Sequence, residues 1–270
     1  MSTETSKKMS LPELIDHFND GIKEAENFLC LARSSHLQHE QCLALDVLIY
    51  NVAKAKQIAV TNQNEDLANL FLGFECAIGA IRSEIMMYVL LKRDDANAAW
   101  DRLVAAQMGC LDAMRAHQTF SNCAKRLADL QDLERLLFPP QVFISAGFLS
   151  IRLDCSVCGQ PTSQCNHLRG RPYMGQLCEF IHRQPRGDHI ALVEVPADKR
   201  CRVVSFKTKD GHKNRITWKL TPYSDSESYS ENEVLEVSTI FLALQRLPYM
   251  EQTEKVLGPL TQSDLPLPTA

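Results

Sequence analysis

The chain has 270 residues, 45% of them hydrophobic and 23% charged, with a formal net charge of −4, a balance that fits globular protein long enough for one large core or two ordinary ones. The opening MSTETSKKMSLPEL has no apolar signal stretch, and no segment approaches the roughly 20 apolar residues of a membrane helix, which predicts a cytoplasmic protein whose ten cysteines are reduced thiols or metal ligands. The charge is uneven: residues 1–138 sum to −5, residues 139–221 to +7 and residues 222–270 to −6, so the basic middle calls for an acidic partner, whether nucleic acid, another protein or the chain's own acidic segments.

Residues 11–138 read as helix almost throughout. Ser10-Leu11-Pro12-Glu13 can open the first helix, since Pro is tolerated in a first turn. It is predicted over residues 12–32, with Leu14, Ile15, Phe18, Ile22, Ala25 and Leu29 at helical spacing. A second follows over 39–60, a turn at Asn62-Gln63-Asn64, a third over 65–92, a fourth after Asp94-Asp95 and a fifth over 122–137. Long helices joined by short polar turns predict an antiparallel bundle. Cys30, Cys42, Cys76, Cys110 and Cys123 fall in these apolar patterns and are expected in its core.

Phe138-Pro139-Pro140 stops the helical run. Strands are predicted over 142–153, with Gly147 as a bulge, and then over 176–182, 189–195, 202–208 and 215–220, the last two joined by a turn at Lys209-Asp210-Gly211-His212. Residues 223–233, YSDSESYSENE, read as an acidic linker, residues 234–247 as one short amphipathic helix, and the last twenty or so as disordered. The predicted class is α+β. A helical bundle (1–138) precedes a small antiparallel β-domain (139–221), followed by an acidic linker, short helix and tail (222–270).

The strongest chemical signal is DCSVCGQPTSQCNHLRG, which sets Cys155, Cys158, Cys165 and His167 in a Cys-x2-Cys-x6-Cys-x-His array. Two cysteines separated by two residues, followed by Gly159, can wrap both sulfurs around one ion, and a Cys-x-His pair can complete the tetrahedron of a closed structural Zn²⁺ site. Cys178, thirteen residues after Cys165, is an alternative to His167 as fourth ligand. The array resembles a zinc knuckle, though the retroviral type has the shorter Cys-x2-Cys-x4-His-x4-Cys spacing. Phosphate loops, dinucleotide fingerprints and nucleophile elbows are all missing from the sequence.

Two shorter segments carry resemblances. Arg33-Ser34-Ser35-His36-Leu37-Gln38-His39 has the Arg-x5-His spacing of HEPN ribonucleases, and that resemblance implies a dimer cleft in which Arg33 and His39 act on an RNA 2′-OH. That family places Asn, Asp or His directly after the Arg, where this chain has Ser34, and both residues are expected at a solvated surface. Ile190-Ala191-Leu192-Val193-Glu194-Val195-Pro196-Ala197 resembles a strand of phage prohead proteases, with Ala191 where the family has its serine nucleophile. A methyl group cannot attack a carbonyl, so the resemblance implies no hydrolysis at that position.

Thirteen Lys and Arg of residues 139–221 are interleaved with Tyr173, Phe180, Phe206 and Trp218. Exposed rings among cations suit single-stranded nucleic acid, but Phe206 and Trp218 are expected to fill the core of so small a sheet. The resulting expectation is a non-catalytic, zinc-containing interaction or adaptor protein in a multi-protein system, with an acidic protein partner. The alternative is nucleic-acid binding through residues 139–221.

Overall fold

The computed structural model describes residues 9–224, 226–227, 229, 234–238 and 247–260. Five long helices come first: α1 Leu11–Glu26, α2 Ser35–Thr61, α3 Glu65–Lys92, α4 Ala96–Ala116 and α5 Cys123–Leu137. Local chemistry sets their starts. Glu13 accepts from both the N–H and the hydroxyl of Ser10 at 2.7 Å, Asn64 Oδ1 accepts the Leu67 N–H at 3.1 Å, and Asp95 Oδ1 that of Ala98 at 3.0 Å, each satisfying an N–H that the first turn leaves open. Helix α1 ends earlier than its apolar spacing predicts, because the Asn27 amide donates to the Lys23 and Glu24 carbonyls and closes the last turn. Helix α2 correspondingly begins at Ser35 rather than at residue 39.

Helix α3 is apolar on nearly every side and is the axis of the bundle, packed on α2 and α4. Phe18, Phe71, Phe74 and Phe120 interlock around it in edge-on and tilted contacts 5.1–6.2 Å apart. Cys42, Cys76, Cys110 and Cys123 lie in this core, whereas Cys30 is exposed, because α1 has ended before it.

Among the described residues ten short antiparallel strands follow: β1 Phe143–Leu149, β2 Arg152–Cys155, β3 Pro172–Tyr173, β4 Gln176–Leu177, β5 Phe180–Arg183, β6 Arg186–Val193, β7 Arg202–Thr208, β8 Gly211–Asn214, β9 Leu220–Thr221 and β10 Leu235–Ser238. The main sheet runs β6-β1-β7-β8-β9, with β10 also paired to β7, while β2-β5 and β3-β4 form separate ribbons. The β1–β6 register slips between Gly147 and Phe148, at the bulge expected there. A Cβ at Gly147 would meet the His189 ring at 2.4 Å.

Two predicted elements are corrected. The strand after the Asp-Gly turn is β8, starting at Gly211, because Thr208 pairs with Gly211 across a two-residue loop; residues 215–219 form a turn instead. Leu235–Ser238 is a strand rather than the start of a helix, because β7 offers it a free edge. The short C-terminal helix is α6, Thr253–Leu257, so at least residues 251–260 of the predicted disordered tail are structured. Residues 239–246 and 261–270, along with most of the acidic stretch 225–233, lie outside the described residues.

The sheet and the bundle share a seam. Trp100 of α4 packs edge-on against Phe138 at 5.3 Å, and its indole N–H donates to the Lys199 carbonyl at 3.1 Å. The Arg202 guanidinium lies 5.6 Å from the Trp100 ring centroid and donates to Asn97 at 2.7 Å. Farther along, the Gly175 N–H donates to Asn69 Oδ1 at 2.9 Å.

Candidate metal centre

Strand β2 delivers Cys155 at its C-terminal end, and the chain then turns back on itself. The Gly159 N–H donates to the Cys155 carbonyl at 2.9 Å, and the Cys155 N–H to the Gln160 carbonyl at 2.8 Å. Gly159 adopts φ +72° in this turn, a conformation that costs glycine little. The turn aims Cys158 back toward Cys155. After a short 3₁₀ turn, Thr162–Gln164, an extended Cys165 returns the chain with His167 two residues on.

The four ligand atoms lie within 4.8 Å of one another, and the group could hold a metal ion. Cys158 and Cys165 sulfurs are 3.4 Å apart, and His167 Nδ1 stands 3.2 Å from Cys165 Sγ and 3.7 Å from Cys155 Sγ. For comparison, a tetrahedral ion with metal–sulfur bonds of about 2.3 Å separates its sulfurs by about 3.8 Å. Backbone N–H groups of Val157 and His167 donate to the Cys155 and Cys165 sulfurs at 3.3 and 3.2 Å, partly offsetting the charge of a thiolate. The His167 ring meets Tyr173 edge-on at 4.5 Å, and the Tyr173 hydroxyl accepts the Leu168 N–H at 3.0 Å, so the β3–β4 ribbon props the imidazole.

Electrostatics separate the thiols. Burial pushes Cys155 up, but the N–H groups of Cys158 and Val157 and the neighbouring thiols outweigh it and bring the group down to about 6. Burial, with the Cys155 charge adding to it, raises Cys165 to about 11 and Cys178 to about 12.

Cys178, between β4 and β5, is fully buried with its sulfur 3.6 Å from that of Cys155. Among the described residues it is the one further cysteine at the cluster's edge, brought there because its N–H donates to the Arg171 carbonyl and its carbonyl accepts from Gly170. The carboxylate beside the cluster, Asp154, is bound by Arg183 and Arg152, which hold it below the usual carboxylate range.

The other sequence candidates scatter. Arg33 is exposed, its Nε donating to the Asn27 carbonyl at 2.9 Å, whereas His39 is 3% exposed inside the bundle. The expectation of two surface residues holds for Arg33 and fails for His39, which lies on the buried face of α2 with Ser35, Gln38 and Cys42. Ala191 sits in the middle of β6 opposite Ser145. Trp218, expected in the core, is exposed, since residues 215–219 form a turn that carries it off the sheet.

One feature went unforeseen. Beneath the C-terminal segment, Arg82 pairs with Asp46 and donates to the carbonyls of Tyr249 and Glu251, both at 2.7 Å. Arg102 donates to the Pro248 carbonyl at 3.0 Å and to Glu251 at 2.8 Å. The available signal was Arg82 itself, a charge in the middle of the most apolar helix, which must have a partner there.

No protein family, no curated protein and no solved structure matches the chain. Among the described residues no helix is long and apolar enough to cross a membrane.

Proposed function

We propose that this chain is a non-catalytic, zinc-containing interaction protein, an adaptor within a multi-protein assembly. The observation that supports this reading is the donor set. Cys155, Cys158, Cys165 and His167 converge as three sulfurs and one imidazole. Such a set suits Zn²⁺ and fills all four places of a closed structural site, leaving none for a substrate. The adjacent carboxylate of Asp154 is engaged by two arginines rather than turned to the cluster as a base. Zinc there would supply folding energy to a region of very short strands. The excess of +7 over residues 139–221 favours an acidic partner.

A second reading, nucleic-acid binding through the same region, is favoured by one observation, the exposure of Trp218. The test is elemental analysis of protein purified without chelator, coupled to capture of partners from the native host with and without nuclease. The expected result is about one zinc per chain and a protein partner retained after nuclease. Absence of zinc, or a metal-dependent hydrolytic activity that Cys158→Ser abolishes, would refute the proposal.

A further inference from the structure

Trp218 is one of two tryptophans, and they differ sharply: Trp100 is 1% exposed and Trp218 is 51% exposed. Trp218 is also held at φ +58°, a left-handed conformation unusual for so bulky a side chain. The turn that holds it uses its hydrogen bonds on itself. Asn214 Oδ1 accepts the N–H groups of Ile216 and Thr217 at 2.8 and 3.0 Å, its carbonyl accepts that of Trp218 at 3.0 Å, and its own N–H donates to the Lys219 carbonyl at 2.9 Å. One asparagine therefore locks a strained turn whose result is an indole presented to solvent.

Cations surround that ring. Lys213 Nζ lies 5.0 Å and Arg215 Cζ 5.2 Å from its centroid. Arg215 donates through one terminal nitrogen to the Pro140 carbonyl at 2.9 Å, while its Nε is buried without a hydrogen-bond partner. Along β8, side chains alternate between faces, so His212 and Lys213 point to opposite sides. Two of the chain's own acids have taken the His212 side. Glu236 stands 2.8 Å and Glu227 3.7 Å from the His212 ring nitrogens. Among the described residues, acids reach the His212 face of the strand and none pairs with Lys213, which stands beside an exposed ring.

We propose that Trp218, Lys213 and Arg215 form a stacking platform for single-stranded nucleic acid. Every base has a flat π face that the indole can cover, and phosphates on either side can take the two cations. A duplex keeps its bases stacked on each other and offers the indole no such face. The platform goes beyond the adaptor reading and does not depend on the metal.

The test uses the full-length chain and a fluorescein-labelled short oligothymidine, with anisotropy and tryptophan emission read at several salt concentrations. Because Trp100 is buried, quenching of emission reports stacking on Trp218. The expected salt dependence of log K is a slope of about −1.4, from two phosphate contacts at about 0.7 each. Trp218→Ala should weaken binding about tenfold. The double variant Lys213→Gln/Arg215→Gln, which leaves the indole in place, should flatten the salt dependence. The proposal is overturned if the oligonucleotide does not bind, if it binds without quenching, or if the same sequence as duplex binds equally well. Equal competition by polyglutamate overturns it too, in favour of an acidic protein partner.

Discussion

Tyr249→Ala is expected to release the C-terminal segment from the bundle and cost about 4–7 kcal/mol. The side chain is 1% exposed, and truncating a fully buried aromatic costs about 3–5 kcal/mol in transfer and cavity terms. Its hydroxyl donates to Asp112 at 2.9 Å and lies 3.4 Å from Cys76. Losing that donor adds about 1–2 kcal/mol, because it removes a hydrogen bond from the buried carboxylate of Asp112, which Arg115 also meets at 3.1 Å. Globular proteins are stable by only about 5–15 kcal/mol, so a large share of the total is at stake. Urea unfolding by circular dichroism measures the loss, and limited proteolysis across residues 247–260 tells local release from global unfolding. Tyr249→Phe, which keeps the ring, should cost only the hydroxyl's share. A Tyr249→Ala variant within about 0.5 kcal/mol of wild type, and no more readily cleaved, would show that the segment is not an integral part of the core.

Three further outcomes are expected. Cys158→Ser should abolish zinc binding and melt the strands around it while leaving most of the helical circular dichroism, since structural zinc contributes on the order of 10 kcal/mol to such a region; retained metal would refute the ligand assignment. Burial raises Asp101 to about 6, against the pull of Arg202, Arg102 and Arg200. Its folded value lies above the unfolded one, so the stability held by the protonated form is present below about pH 4 and lost as pH rises through about 6. Asp101→Asn should therefore gain roughly 1–2 kcal/mol on wild type across that window, discounted for partial exposure; parallel urea midpoints at pH 4 and pH 7 would refute it. Arg33→Ala should change stability by less than about 0.5 kcal/mol and His39→Ala should cost about 1–3 kcal/mol, because only the histidine is buried. RNA cleavage by wild type that both variants lose would instead revive the ribonuclease resemblance.

The helices and the Cys/His cluster were legible because their determinants are local. Helix α3 matches its predicted span at both ends, since Asn64 caps one end and the apolar run stops at the other. Three sulfurs and an imidazole within thirteen residues need only a turn at Gly159 and an extended return to converge. Boundaries were less secure where a side chain decided them, as the Asn27 amide does for α1.

What only the tertiary structure decided depends on partners far away in sequence. Leu235–Ser238 has apolar residues compatible with helix or strand, and the edge of β7 makes it a strand. Cys178 reaches Cys155 because the β3–β4 ribbon folds back between them. Trp218 leaves the core because Asn214 closes a turn where alternation alone predicts a strand. The segment around Tyr249 borders the tail whose composition predicts disorder, yet Arg82 and Arg102 hold its carbonyls from more than 140 residues away. Periodicity records which residues prefer burial, whereas an edge, a cavity or an unpaired guanidinium exists only once the rest of the chain has folded around it.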